Sequence, residues 1–233
     1  QSIPDALDRA ATTWPDTTAL EDGALHLSFS ELRILAHRAA RSLKMRGIKP
    51  GDKVAIWAPN TWEWVVAALG IHCAGAVLVT LNTRYKGFEA RQILDSSKAK
   101  FLFTVDGFLG LDFKTMLKRP KLKTVVFRDD FELFLAEGES GSLPKVPGDA
   151  LADLLFTSGT TGAPKGAMCT HEQAVRAYTS WSEVVGLTHG DRYLVIAPFF
   201  HAFGYKAGWL ACLLRGATIL PQVTFDLDEI LER

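Results

Sequence analysis

Residues 157–166 read TSGTTGAPKG, a run of hydroxyl side chains and glycines that closes with a lysine and a glycine. Glycine lacks a Cβ, so the backbone can approach a ligand closely and adopt positive φ, and successive N–H groups can form an anion-binding nest. The apolar residues 154–156 before the loop are typical of a strand, and residues 166–170 after it predict a second short strand. The pattern therefore indicates a polyphosphate-binding loop between two strands.

The spacing of this loop differs from that of other phosphate-binding loops. The P-loop signature requires G-x-x-x-x-G-K-S/T, whereas Ala163 and Pro164 here separate Gly162 from Lys165. The loop does not follow the pattern G-x-G-x-x-G either. A polar surface turn stays the alternative, because clusters of Ser, Thr and Gly are often turns. The order of hydroxyls, glycines, proline and lysine favours the binding loop.

Three motifs together resemble the adenylate-forming superfamily of acyl- and aryl-CoA ligases, firefly luciferase and peptide-synthetase adenylation domains. TSGTTGAPKG is similar to the phosphate loop of that superfamily. Residues 197–204, APFFHAFG, resemble the segment that lies beside the acyl carboxylate in CoA ligases, and residues 81–85, LNTRY, resemble a segment after an early core strand. The resemblance covers nearly the whole chain, from Ile3 to Leu231.

The resemblance implies that ATP binds at the loop. The expected cofactor-binding residues are Thr157, Ser158, Gly159, Thr160, Thr161, Gly162, Lys165 and Gly166. Lys165 is also expected to be catalytic, as a point charge on the β- and γ-phosphate oxygens while pyrophosphate leaves. A solvated surface lysine is the alternative. Mg²⁺ is expected to accompany ATP and to be held mainly by phosphate oxygens, so no side chain is named as a metal ligand.

His201 is the second expected catalytic residue, because large apolar side chains surround it in the sequence. In the resembling family this position faces the substrate carboxylate or gates the acyl tunnel. A core histidine bonded to a backbone carbonyl is the alternative. The expected substrate residues are His201, Phe200, Phe203, Gly204 and Tyr205. The aromatic residues near His201, which include Phe199 and Trp209, fit an acyl pocket and a hydrophobic core about equally well. His171 resembles a family position near the loop, and helix capping explains it equally well.

Composition narrows the functional classes. The 233 residues carry no net charge and no basic block, so nothing indicates nucleic-acid binding. The cysteines, Cys73, Cys169 and Cys212, are three in number and lack metal-ligand spacing, which disfavours a disulfide framework and favours a reducing cytoplasm. The apolar residues 64–81 predict a buried helix that turns into a strand, not a membrane span. Composition does not decide the oligomeric state, and a homodimer stays open.

Strands alternate with helices along the chain, which predicts an α/β fold of parallel sheets flanked by helices with right-handed crossovers. We expect strands at 25–27, 53–57, 76–80, 100–105, 124–127, 151–156, 166–170, 193–196 and 218–220. We expect helices at 4–13, 28–47, 60–73, 88–97, 112–117, 172–185 and 204–214, with another from about 226. Residues 137–149 are rich in Gly, Pro and Ser and predict a loop between two sublobes. The predicted sublobes are 1–148 and 149–233.

The expected function is that of the N-terminal part of an acyl-CoA ligase. The family converts a carboxylic acid and ATP to acyl-AMP and pyrophosphate, and then transfers the acyl group to coenzyme A. The chain starts at Gln1 and stops at Arg233 inside a predicted helix. The family's later adenine, ribose, hinge and C-terminal lysine segments do not occur before Arg233. We therefore expect a fragment that is inactive by itself.

Two long runs, 54–85 and 198–218, resemble actinobacterial fatty-acid-type ligases most. Among these, the similarity is greatest to ligases that activate the ring-propionate left by steroid breakdown, so a fatty or polycyclic acid is the expected substrate. A fatty acyl-AMP ligase and a non-catalytic nucleotide-binding module are the alternatives. A peptide-synthetase adenylation domain is disfavoured, because its site expects an aspartate where this chain has the HAFG segment.

Overall fold

A computed structural model describes residues 1–119, 121–157 and 165–232. The helices are α1 (Ile3–Thr13), α2 (Phe29–Met45), α3 (Trp62–Cys73), α4 (Gly87–Ser97), α5 (Phe113–Leu117), α6 (Phe131–Glu137), α7 (His171–Val184), α8 (Ala202–Gly204), α9 (Ala211–Arg215) and α10 (Leu227–Glu232). A π-helical segment, Tyr205–Leu210, connects α8 to α9. The strands are β1 (Thr18–Asp22), β2 (Leu25–Ser28), β3 (Lys53–Trp57), β4 (Val77–Thr80), β5 (Phe101–Thr104), β6 (Asp106–Phe108), β7 (Leu111–Asp112), β8 (Lys123–Val126), β9 (Leu151–Thr157), β10 (Lys165–Thr170), β11 (Arg192–Val195) and β12 (Thr218–Pro221).

Two sheets organise the fold. The larger sheet has the order β10-β9-β4-β3-β5-β8, and its pairs are parallel except for β9 with β10. The smaller sheet has the order β11-β12-β1-β2 and is parallel except for β1 with β2. Strands β6 and β7 form a separate hairpin. The predicted α/β architecture of parallel sheets with flanking helices is confirmed.

The sheets do not follow the predicted division of the chain. Strands β9 and β10 follow residue 148 but extend the larger sheet beside β4. Strand β1 precedes residue 148 but pairs with β12 in the smaller sheet. Each sheet therefore contains strands from both predicted sublobes, and the boundary at 148 stays a prediction.

The apolar residues 64–81 form helix α3 and strand β4, as predicted. Helix α3 is buried on all sides, and it packs tightly against α2 at Gly70. A Cβ at Gly70 would lie 2.5 Å from the Cβ of Ala39, so the close approach of these helices requires glycine. In the described part of the chain, no helix combines the length and the apolar character that crossing a bilayer requires.

Helix α7 is anchored to α1 through a buried histidine. His171 has no exposed surface, and its Nδ1 accepts a hydrogen bond from the Ile3 N–H at 3.4 Å. Its ring also packs edge-to-face against His72, with centroids 5.2 Å apart. The capping role belongs to Thr170, whose hydroxyl accepts from the Gln173 N–H. Burial lowers the pKa of His171 to about 4, so this ring folds in its neutral form.

We predict that His171 makes the fold sensitive to mild acid. The unfolded histidine takes up a proton near its ordinary pKa of 6.5, whereas the folded ring does so only near pH 4. The free energy of unfolding should therefore fall as pH drops from about 6.5 to about 4, by up to on the order of 3 kcal/mol. Urea unfolding across this pH range measures the effect. His171→Leu should reduce the slope without abolishing it, because burial also lowers the pKa of the neighbouring His72. His26→Gln at an exposed position should preserve it; equal slopes in the two variants would refute the assignment.

Candidate functional site

A cleft of about 720 Å³ opens where strands of both sheets end. Loops after β3, β4, β11 and β12 line it, and ligands of open α/β sheets bind at such carboxyl edges. The polar lining includes Asn82, Thr83, Arg84, Gln222 and Thr224. The apolar lining includes Pro198, Phe200 and Phe225. The cleft therefore combines amide, hydroxyl and guanidinium groups with an apolar wall.

Two of the three sequence motifs meet in this cleft. Residues 82–84 of the LNTRY motif form one wall, and Ala197, Pro198 and Phe200 of the APFFHAFG motif form another. They are held together by Thr80, whose Oγ1 donates to the Phe200 carbonyl at 2.8 Å. The cleft thus brings together segments that are more than a hundred residues apart in the chain.

The predicted phosphate loop starts and ends at the same edge. Residues 158–164, which include Ser158, Gly159, Thr160, Thr161 and Gly162, lie outside the described residues. The backbones of Thr157 and Lys165 pair across the β9–β10 ladder and so mark the two ends of the loop. Strand β9 runs parallel to β4, with Leu155 in register with Thr80. The ends of the loop therefore lie beside the strand that contacts the APFFHAFG segment.

The flanking loop residues differ in their surroundings. Lys165 is exposed at the start of β10, where its charge is open to a ligand. Gly166 pairs with Phe156 in the ladder, and a Cβ at this position would lie 3.1 Å from the Phe156 ring. The close contact with that ring explains why residue 166 is a glycine, although its backbone does not adopt a positive φ. The binding roles of both residues stay predictions.

Asn60 holds the loop that precedes His201. Its Nδ2 donates to the Val195 carbonyl at 3.2 Å and to the Ala197 carbonyl at 2.9 Å. Its Oδ1 accepts from the Phe199 N–H at 2.7 Å. Asn60 follows β3 of the larger sheet, whereas the loop follows β11 of the smaller one, so one buried amide fixes both sides of the cleft. The sequence patterns placed Asn60 only at a helix start and missed this role.

The predicted substrate residues separate into three environments. Phe200 lines the cleft. His201 is exposed, and its Nδ1 accepts from the Phe203 N–H at 3.3 Å, which caps α8. Phe203 is 54% exposed and contacts Trp181 of α7, with ring centroids 6.2 Å apart. His201 is therefore a surface side chain at the end of the cleft loop and is not buried in the core, and no carbonyl of the described residues accepts from it.

Tyr205 and Gly204 lie inside the protein, as do Phe199 and Trp209. Tyr205 stacks on Trp209 at 4.8 Å, and its hydroxyl contacts His72 Nε2 at 2.8 Å. A Cβ at Gly204 would lie 2.3 Å from the Ala197 and Pro198 carbonyl oxygens. These contacts give the residues packing roles, and a substrate role for Tyr205 and Gly204 stays a prediction.

A buried ion pair joins the π-helical segment to the strand before the phosphate loop. Lys206 Nζ lies 2.9 Å from Asp153 Oδ1, and their side chains are 5% and 0% exposed. Burial raises the pKa of Asp153, although the charge of Lys206 opposes this shift. Burial is the largest single influence and lowers the pKa of Lys206, but the charge and hydrogen bond of Asp153 together with those of Cys169 outweigh it, so the pKa is raised. Lys206 therefore stays an ammonium group inside the fold. The aromatic-rich sequence around His201 gives no indication of this buried ion pair.

Metal-ligand chemistry is not evident in the described residues, where no group of three or more His, Cys, Asp or Glu side chains is placed to hold an ion. Cys73, Cys169 and Cys212 are free thiols, and only Cys169 is not fully buried. The described cleft therefore relies on neutral polar groups and on the guanidinium of Arg84, with Lys165 nearby on β10.

Known proteins share this fold. A family model described as AMP-binding enzyme matches residues 7–232. The chain belongs to this family of AMP-binding enzymes. It is similar over its full length to a crystal structure of the inhibitor-bound N-terminal domain of FACL13 from Mycobacterium tuberculosis, with a TM-score of 0.89, 27% identity and 60% of that chain covered. It is also similar to o-succinylbenzoate CoA synthetase from Bacillus subtilis in complex with an acyl-adenylate, with a TM-score of 0.85, 28% identity, and coverage of 100% of this chain and 58% of that one.

Curated relatives include CoA ligases from two actinobacteria. The chain is 48% identical to 3-(7a-methyl-1,5-dioxo-octahydro-1H-inden-4-yl)propanoyl:CoA ligase of Mycobacterium tuberculosis, over 97% of this chain and 48% of the relative. It is 42% identical to the ligase of the same name from Rhodococcus jostii, over 99% of this chain and 49% of the relative. The chain thus spans about half the length of the curated relatives it matches.

We predict that Asn60→Ala loosens the cleft loop and destabilises the fold. The substitution leaves the Phe199 N–H and two carbonyls without their buried partner, which should cost about 1–3 kcal/mol of unfolding free energy. Asn82→Ala is the matched control, because Asn82 lines the same cleft and, within the described part of the chain, its side chain makes a single local bond, to the Arg84 N–H. Urea titration of both variants checks the difference, and equal losses would contradict a bridging role for Asn60.

Proposed function

We propose that this chain is the N-terminal part of an ATP-dependent acyl-CoA ligase. The observation that carries the proposal is the meeting of the LNTRY and APFFHAFG segments in one cleft, beside the two ends of the predicted phosphate loop. The enzyme would join a carboxylic acid to AMP with release of pyrophosphate, and would then transfer the acyl group to coenzyme A. The similarity to two ligases supports the same conclusion.

The chain's own residues would act mainly by binding and by electrostatic stabilisation. Loop residues 157–166 would hold the β- and γ-phosphates, and the exposed Lys165 would stabilise the negative charge that develops as pyrophosphate leaves. The polar and guanidinium groups of the cleft fit a nucleotide, and Mg²⁺ would be bound chiefly by phosphate oxygens. Carboxylic acids are already ionised at neutral pH, so adenylation requires no general base to make the nucleophile.

The proposed acid is a fused-ring propanoate of the kind named in the two most similar ligases described above. Medium- or long-chain fatty acids are the alternative, since a ligase named for them in Mycolicibacterium smegmatis is 30% identical to this chain. Free thiols accord with a reducing compartment, and a cytoplasmic location is part of the proposal. A homodimer stays an untested expectation.

Pyrophosphate release by the full-length protein that carries this chain tests the function. The acids should include short, medium and long fatty acids and a bicyclic propanoate, each with and without coenzyme A. Release that is followed by acyl-CoA formation is the expected result. Acyl-AMP that accumulates despite coenzyme A would instead identify a fatty acyl-AMP ligase. Nucleotide binding without any release would leave only a nucleotide-binding module.

We predict that Lys165→Ala slows adenylation in the full-length protein about ten- to hundredfold, because a charged hydrogen bond contributes about 1.5–3 kcal/mol. ATP–pyrophosphate exchange measures the rate. Lys145→Ala removes another exposed lysine and should leave the rate unchanged. Unaltered exchange in Lys165→Ala would show that the loop lysine does not stabilise the leaving phosphates.

We predict that His201→Ala raises the KM for the acid more than the KM for ATP. His201 is exposed beside the cleft loop, where it can gate the acid or contact its carboxylate. His201→Phe should keep activity if gating dominates and lose it if hydrogen bonding to the carboxylate dominates. Steady-state kinetics with each substrate varied in turn separates these cases. Unchanged acid kinetics in both variants would remove His201 from the site.

A further inference from the structure

The buried Lys206–Asp153 pair is not explained by stability alone. A buried ion pair gains little over a well-packed apolar pair, because both charges lose their hydration. Here the pair lies in the segment that directly follows APFFHAFG and on the strand that leads to the phosphate loop. Such a position suggests that the charge serves binding.

The ammonium group of Lys206 has an N–H donor that is available to a ligand. Lysine carries three N–H donors, and Asp153 Oδ1 accepts from one of them. Among the described residues, no second oxygen accepts from Lys206. The thiol of Cys169 on β10 also accepts weakly from the ammonium group, and Tyr178 of α7 is a further neighbour. Both neighbours are half-buried, whereas Lys206 itself is 5% exposed, so its one remaining donor is buried behind Cys169 and Tyr178.

The sheet connects this pair to the predicted phosphate site. Directly opposite residues in an antiparallel ladder share a face, and every second residue returns to that face. Cys169, Ala167 and Lys165 therefore lie along one face of β10, and the first two are opposite Asp153 and Leu155 of β9. The face is buried at Asp153 and exposed at Ala167 and Lys165.

The dimensions of this face fit a short acid with a ring. Cys169 and Lys165 are four positions apart, which is ~13 Å along a strand. An acid with its carboxylate near the phosphate loop and its ring system over Ala167 would place the far side of the ring near Lys206. The small side chain of Ala167 leaves room for such a ring.

We propose that Lys206 is a specificity-determining residue that donates a hydrogen bond to a neutral carbonyl oxygen on the ring of the acid. The inference rests on the proposed ligase function. A neutral acceptor fits because Asp153 already balances the charge of Lys206. A carbonyl-free acid would leave the remaining N–H donor of Lys206 unpaired, and a site built to bond a polar group rejects the analogue that lacks it.

The test compares two bicyclic propanoic acids of the same skeleton, one with ring ketones and one without, in the full-length protein. Lys206→Met should lower kcat/KM for the keto acid about ten- to hundredfold and leave the carbonyl-free acid unchanged or improved. The KM for ATP should not change. Lys121→Met, at an exposed lysine, is the control and should preserve the preference.

Two further variants separate recognition from folding. Lys206→Met/Asp153→Leu removes both charges, so no unpaired carboxylate remains; it should keep the melting temperature but lose the keto preference. Ala167→Phe, at an exposed strand position, should raise the KM for both ring acids by blocking the same face. Equal losses for both acids in Lys206→Met, or an intact preference in the double variant, would overturn the inference while the ligase function stands. No pyrophosphate release with any acid would overturn both.

Discussion

The cleft depends on one buried amide that connects two sheets. Asn60 follows β3 of the larger sheet, and its three hydrogen bonds go to the last residue of β11 in the smaller sheet and to the loop that follows it. An asparagine side chain supplies both donors and an acceptor in a fixed plane. These bonds set the path of residues 195–199 and therefore the position of Phe200 and His201. The geometry of the cleft thus depends on a buried side chain that forms part of the cleft wall.

Much of the fold could be predicted from the sequence, because its main elements have strong local signals. The strand 53–57 is a compact apolar run that matches β3, and the capping box of Ser28 and Glu31 marks the start of α2. Helix α6 was missed, since seven residues are too few to show a helical period. Strand β1 and the β6–β7 hairpin were missed as well, because each is short and lacks an apolar run. The antiparallel pairing of β9 with β10 was also not anticipated by the expectation of parallel sheets.

The candidate site was less predictable than the fold. The two cleft segments could be found from the sequence, because each is a motif of contiguous residues. The sequence did not show which of the aromatic side chains near His201 are buried, because a hydrophobic core and the lining of a pocket have similar amino-acid composition. Tyr205 and Trp209 therefore lie in the core, whereas Phe200 lines the cleft and Phe203 is exposed. Asn60 and the Lys206–Asp153 pair act through partners more than fifty positions away, and no local pattern indicates such contacts.

The pairing of β1 with β12 has a consequence for how the chain folds during synthesis. Thr218 Oγ1 donates to the Thr18 carbonyl across 200 positions, and Leu20 is in register with Ile219. The first strand therefore leaves the ribosome long before its central neighbour exists. Until then, one edge of β1 stays unpaired beside β2, and such edges favour association with other chains. The smaller sheet is completed only when nearly all of these residues have emerged. Its strand order therefore requires that β1 and β12 pair late in synthesis.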